Sequence, residues 1–203
     1  INCGHRGYPL RILRFSSNDW INVHAVIDHI VCGCEQLETG TAYIERVIGE
    51  NFVAGGKHDL MTTHNKLMRL QDSIYLESIA IDQNAAKVLG DIGRKRWFSL
   101  DDSQTRQKLA IAPCPLTWVV AVESVDAAAA RCGYDAGRVT RMTRGDLTWL
   151  LTIPDDGRLV EQGLLPCFIE WPDGINPAGR LPESGVTLNR IILRHPKPDS
   201  SAI

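Results

Sequence analysis

The chain has 203 residues, 44% hydrophobic and 23% charged, with a formal net charge of −2 at pH 7. That length suits one large domain or two small ones and buries roughly 70% of the surface of the unfolded chain, so no disulfide or metal staple is required. The near-neutral balance gives no electrostatic reason to expect nucleic acid or an anionic membrane as a partner, and no apolar run reaches the roughly 18–20 residues that cross a bilayer.

No stretch has the basic, apolar, small-residue form of a signal peptide. The six cysteines form no C-x-x-C pair. At this density they read as reduced thiols, and a cytoplasmic location is expected. The nearest two, Cys32-x-Cys34, share a face if they lie on a strand, as small core residues do.

Residues 1–25 mix charges, Gly-Tyr-Pro and Ser-Ser-Asn-Asp without sustained periodicity. They read as an irregular arm with one short strand, Leu10–Phe15, and with His5 and His24 at the surface. The first residue is Ile rather than Met, as in a fragment or a processed product.

From Val26 the pattern becomes regular. An apolar strand, Val26–Cys32, precedes a helix expected over Glu35–Ile48, with Leu37, Tyr43, Ile44 and Val47 as its stripe and Gly49 as its stop. Asn51–Ala54 reads as a short strand and Gly55–Asp59 as a turn, with His58 exposed. His64–Leu70 and Ile74–Ile81 read as a hairpin. The connection from Asp82 to Pro115 is charged, with helical pieces at Ala85–Leu89 and Asp101–Leu109, the second capped by Asp101. Arg94-Lys95-Arg96 reads as a solvated basic run, and Trp97 and Phe98 as anchors.

A second unit follows the same order. Leu116–Val122 is an apolar strand, and Ser124 caps a helix through Ala130 that Gly133 stops. Val139–Thr143, Leu147–Ile153, Leu165–Trp171 and Val186–Leu193 read as strands. The tail from His195 is proline-rich and polar, with residues 196–203 expected to be loose.

Aligning the units pairs Asp28-His29-Ile30-Val31 with Thr117-Trp118-Val119-Val120, and Tyr75-Leu76-Glu77 with Phe168-Ile169-Glu170. Similarity at this period means a duplicated supersecondary unit. Strand alternation puts His29 opposite the helix-facing Ile30 and Cys32, and gives Tyr75, Glu77 and Ile79 one face and Phe168 and Glu170 one face. A carboxylate inside each of two apolar strands is costly to bury unpaired. With a histidine, the pair implies a shared polar centre. Either a metal supplies the missing positive charge, or the cup is metal-free and His29 salt-bridges a glutamate.

The order β-α-β-β-β, twice over, with a polar residue on each first strand and a glutamate on each last strand, resembles the vicinal oxygen chelate superfamily. The likeness is closer to its glyoxalase-like branch, through Asp28-His29-Ile30-Val31, Gly55-Gly56, Thr63-His64-Asn65, Tyr75-Leu76-Glu77, Arg141-Met142-Thr143-Arg144 and Pro166-Cys167-Phe168-Ile169-Glu170-Trp171. The resemblance covers residues 26–195. It implies an α+β fold in which two paired modules, 26–81 and 115–171, curve one mixed sheet into a cup with helices outside. It also implies metal ligands on the first and last strand of each module, here His29, Glu77, Trp118 and Glu170. Three of these can bind a divalent ion such as Zn, Mn, Fe, Ni or Mg. Trp118 cannot, and His64 is the candidate substitute ligand or general base.

On this reading Glu77, Glu170 and His64 are the catalytic candidates. Trp118, Tyr75, Phe168, Arg144 and Asn65 would bind substrate, with Trp149 a further wall and Arg69, Arg141 and Arg144 the cations able to pair with an anionic group. No G-x-S-x-G elbow, Walker loop, G-x-G-x-x-G or H-E-x-x-H competes. Two functions stand. One is a metal-dependent lyase, isomerase, epimerase or dioxygenase acting on a small oxygen-rich molecule, as a monomer or homodimer. The other is a protein of bleomycin-resistance type that sequesters a small molecule in the same cup.

Overall fold

The computed structural model describes residues 25–71, 73–85 and 95–194. The arm at 1–24, the helical piece beyond Ala85 and the tail from His195 lie outside the described residues.

The first module runs β1 (Ala25–Gly33), α1 (Leu37–Ile48), β2 (Val53–His58), β3 (Thr63–Gln71) and β4 (Ile74–Ile81). A short helix, α2 (Ser103–Ile111), lies in the connection. The second module runs β5 (Cys114–Val122), α3 (Val125–Arg131), β6 (Arg138–Arg144), β7 (Leu147–Ile153) and β8 (Cys167–Glu170). All eight strands join one sheet in the order β2-β3-β4-β1-β5-β8-β7-β6. Within each half the first strand pairs parallel with the last, and β1 meets β5 antiparallel at the centre. The α+β fold with a curved, cup-like mixed sheet is therefore the architecture observed. The edge strands β2 and β6 approach each other across the cup, so the sheet curls into a half-barrel.

Strand alternation sorts the apolar residues into layers. The concave face carries Val31, Ile79, Val119, Met142, Trp149, Leu151, together with Cys167 and Ile169. The convex face of the first half carries Cys32, Met68, Leu70 and Ala80 beneath Leu37 and Ile44 of α1. Val120, Val122 and Phe168 pack beneath Val125 and Ala128 of α3. Gly49 ends α1 in the left-handed conformation at φ 87°, donating its amide to Glu45. This is the stop that a residue without Cβ makes favourable. Val47 is exposed, so the buried stripe of α1 is Leu37, Gly40, Thr41 and Ile44.

Several expectations are corrected here. Asp102, not Asp101, caps α2 by accepting the amide of Thr105, while Asp101 pairs with Arg96 at 2.6 Å. Arg96 is thus tied down rather than solvated. Ser124 does cap α3, accepting from the amide of Ala127 at 3.3 Å. Gly55 and Gly56 lie within β2 rather than in a turn, and His58 is 3% exposed. Residues 186–193 form no strand, since they meet no sheet edge; Val186 and Leu188 pack instead against the convex cluster under α1.

Two segments outside the modules complete the cup. The connection brings Trp97, Phe98 and Leu100 against the concave cluster. Phe98 and Ser99 both take positive φ, 57° and 53°, a conformation that costs of order 1 kcal/mol per non-glycine residue. Bonds from the Ser99 amide to Gly157 O and from the Leu159 amide to Ser99 Oγ hold it. After β8, residues 172–188 form a strap in which Ala178 and Leu181 pack on Leu67 and Tyr75, and Ser184 donates to Arg69 O.

Candidate functional site

The polar centre of the cup begins with an irregularity in β1. Across the β1–β5 seam, Ile27 pairs with Val120, but Val119 pairs with His29, so Asp28 is one residue too many for its partner strand. A bulge of this kind turns two consecutive side chains toward one face. Asp28 and His29 are accordingly both buried, Asp28 completely.

Asp28 is satisfied from three directions. Its Oδ2 accepts from Trp171 Nε1 at 2.8 Å and from Asn176 Nδ2 at 2.7 Å, and its Oδ1 lies 2.6 Å from His29 Nδ1. A buried carboxylate accepts, so His29 carries its proton on Nδ1. The His29 ring stacks on Tyr75 with centroids 4.5 Å apart and planes 16° from parallel. Burial, followed by the nearby Asp28 and Glu77, pushes the Tyr75 hydroxyl well above its ordinary range. On the far side of the imidazole, Nε2 stands 3.7 Å from Glu77 Oε2.

Glu77 then continues the chain of contacts. Its Oε1 accepts from Asn65 Nδ2 at 2.5 Å, and Asn65 Oδ1 accepts from the Gly56 amide at 2.9 Å and from Arg144 Nη1 at 3.1 Å. His58 Nε2 lies 3.4 Å from Arg144 Nη1 and 3.5 Å from Asn65 Nδ2, both of them donors. It is therefore the acceptor, and the proton sits on Nδ1, facing Thr63 Oγ1 at 3.0 Å. Burial, then the charge of Arg144, lowers His58 to about 3, so the ring is neutral at ordinary pH. Trp97 and Trp149 meet it edge-on.

The glycine pair of β2 makes this packing possible. A Cβ on Gly55 would overlap Asn65 Oδ1, and one on Gly56 would stand 2.5 Å from Arg144 Cδ. Arg144, at the end of β6, thus reaches over β2, with its guanidinium 5.9 Å from the Trp149 ring. Among the described residues it forms no ion pair.

The structure brings together His29, Glu77, Tyr75, Asn65 and Arg144. It separates the other nominated residues from them. Glu170 lies on the convex face, where its Oε2 accepts the amide of Val125 at 3.0 Å and anchors the start of α3. Phe168 is buried under α3, and Trp118 packs beside it while donating Nε1 to Leu164 O. His64 alternates away from Asn65, toward Asp82, Lys57, Glu38 and Lys66, with burial lowering its basicity. Arg69 is bound to the carbonyls of Gln71 and Leu181, and Arg141 is exposed.

The register explains the displacement. His29 pairs with Tyr75 in the first half and Val119 with Cys167 in the second. The repeat equivalents of His29 and Glu77 are therefore Val119 and Ile169, both concave and both apolar. Among the described residues four donors are not brought together at these positions, and the donor set there does not fit a divalent ion. Among the described residues no three His, Cys, Asp or Glu side chains are arranged to hold one. Asp28 and Glu77 lie on opposite edges of the same imidazole and cannot share an ion with it.

Two βαβββ modules joined through their first strands around a curled sheet define the vicinal oxygen chelate fold. A family model described as "Glyoxalase-like domain" matches residues 27–202, and the chain belongs to that family. Among solved structures, it is similar to a hypothetical protein from Staphylococcus aureus, with 19% identity and a TM-score of 0.51, over 74% of this chain and 59% of that one. The chain therefore spans less than two thirds of that protein's length. A methylmalonyl-CoA epimerase variant from Streptomyces coelicolor, in complex with 2-nitronate-propionyl-CoA, is 18% identical with a TM-score of 0.45, over 72% of this chain and 94% of that one. The epimerase from Mycobacterium tuberculosis is 15% identical with a TM-score of 0.42, over 71% and 85%. No curated protein matches by sequence. No helix among the described residues is long and apolar enough to cross a membrane.

Sequence reasoning nominated neither Asp28 nor His58, and it missed Trp171 and Asn176. The signal for Asp28 was present as an acid directly before the histidine in an apolar strand. Nothing local marked the strap.

Proposed function

We propose that the cup houses an enzyme of the isomerase, epimerase or lyase kind, moving a proton on a small oxygen-rich molecule between His29 and Glu77. The observation that carries this reading is the line Asp28–His29–Glu77. With the proton of His29 on Nδ1, its bare Nε2 faces Glu77 Oε2, and two acceptors 3.7 Å apart call for a proton or a substrate donor between them. Asp28 fixes the tautomer and Tyr75 the ring plane, so Nε2 is aimed rather than free to turn. Asn65 holds the other oxygen of Glu77 and leaves Oε2 as the reactive one. Glu77 acts as general base toward a carbon acid; the proton it takes passes to the bare Nε2 of His29 beside it and is returned to carbon from there.

The superfamily implies a divalent ion, but the donor set does not assemble one, and no step is assigned to it. General acid–base assistance of this type supplies about 10²–10⁴-fold.

The test is exchange of carbon-bound protons. Small keto and hydroxy acids are incubated with the protein in D2O and followed by proton NMR. At least one should lose its α-proton signal in a protein-dependent way, with Glu77→Gln slowing the exchange by about 100-fold or more. Saturable binding without exchange would instead favour sequestration.

A further inference from the structure

We propose that Arg144, together with the indole N–H of Trp97, forms a subsite for a monoanionic carboxylate on the ligand. The subsite rests on the reading of the cup as a ligand site, but not on proton transfer within it.

Two observations carry it. The first is Arg144. Its guanidinium reaches into the cup, yet its Nη1 is used on neutral acceptors, Asn65 Oδ1 and His58 Nε2. Nε and Nη2 have no hydrogen-bond partner among the described residues, which leaves one planar edge of the guanidinium unused. A guanidinium edge of this kind pairs bidentately with a carboxylate. His58 competes for none of the guanidinium charge, because it is held neutral.

The second is Trp97. Its Nε1 is buried with no hydrogen-bond partner among the described residues, and the residue is only 3% exposed. Buried indole donors normally find an acceptor. Trp97 stands edge-on to His58, 4.9 Å between centroids, and Arg144 Nη1 reaches the same imidazole at 3.4 Å. The strained pair Phe98–Ser99 follows it at once and fixes its placement. An acceptor brought by the ligand satisfies both groups together.

Charge selects the kind of anion. Asp28 and Glu77 already place two carboxyl groups in the cup, and Arg144 is the cation facing them. A second negative charge on the ligand is repelled, so a carboxylate is favoured over a phosphate dianion. The Gly55-Gly56 pair supplies the space, since side chains there would meet Asn65 and Arg144.

The test uses pyruvate as the monoanion, inorganic phosphate as the dianion and acetamide as the neutral control, at constant ionic strength. The tryptophan indole N–H resonances are followed by ¹H–¹⁵N NMR, with Trp97 assigned through Trp97→Phe. Pyruvate should move the Trp97 resonance saturably in the roughly millimolar range expected for so small a ligand. Acetamide should leave it in place, and phosphate should bind more weakly. Arg144→Gln should weaken pyruvate at least about tenfold. Gly56→Ala should do the same by displacing the Arg144 side chain while keeping its charge. Carbon-bound proton exchange is scored separately on the wild type, so loss of exchange and loss of the subsite are read independently. An unmoved Trp97 resonance, or equal binding of pyruvate by wild type and both Arg144→Gln and Gly56→Ala, would overturn the subsite.

Discussion

His29 and Val119 are direct partners across the antiparallel seam where the two modules meet. They are also the repeat equivalents of each other, a polar residue facing its own apolar counterpart. The duplication has therefore kept its geometry and lost its chemical symmetry. One half of the concave face is polar, around His29, Glu77 and Asn65, and the other is dry, around Val119, Ile169 and Leu151.

From this asymmetry follows the response to metals. With two donor positions replaced by valine and isoleucine, dialysis against EDTA should leave the melting temperature unchanged, and Zn²⁺, Mn²⁺ or Ni²⁺ should produce no saturable rise. Differential scanning fluorimetry on the chelated protein decides it. A stoichiometric ion that stabilises the fold would contradict the donor count, because a ligand binding only the native state must raise stability.

Glu170 behaves as part of α3. Its carboxylate accepts the Val125 amide at the positive end of that helix, a charge-assisted contact at a half-exposed position. Glu170→Ala should cost about 1–2 kcal/mol in urea denaturation. Binding of pyruvate should be unaffected, and any large loss of binding would place Glu170 in the site after all.

Asp28 is the opposite case. Asp28→Ala would leave three donors, from Trp171, Asn176 and His29, without their acceptor. A loss of about 3 kcal/mol or more is expected. Asp28→Asn keeps the volume but turns a donor toward donors. It should release His29 from its fixed tautomer, visible in the imidazole ¹⁵N shifts.

His58 predicts an acid limb. In the unfolded chain it takes a proton near pH 6.5, whereas in the folded protein it stays neutral until about 3, through burial and then through Arg144, His29 and His64. The unfolded state thus binds the extra proton between those values. Its contribution to stability is intact above about pH 6.5 and declines as pH falls toward 3, by at most about 1.4 kcal/mol per pH unit. The stability difference between wild type and His58→Gln should shrink over that window. A difference independent of pH would show that His58 is not held neutral.

Most of the fold was legible because alternation is clean wherever one face meets a helix and the other the cup. β4 and β7 have the ends that the pattern indicates, Ile74–Ile81 and Leu147–Ile153. The site was legible in part. His29, Glu77 and Asn65 fell on the right face because Ile79 and Val31 mark it. β8 misled because both of its faces are buried, so Phe168 and Ile169 are equally apolar and nothing local says which looks inward. The acid after them suggested a site, but it serves a helix terminus. The bulge at Asp28 left no trace in composition, and His58 looked exposed because paired glycines resemble a turn until Arg144 is seen to need their space. The apolar run 186–193 alternates like a strand but has no edge to join.

Asn176 lies 148 residues beyond the carboxylate it serves. During synthesis both modules are almost complete before the amide that holds Asp28 leaves the ribosome. A chain interrupted just short of residue 176 would contain every strand and helix of the sheet, yet would carry an acid in its centre that lacks this donor. The polar centre is thereby finished only by a segment that follows all the strands around it.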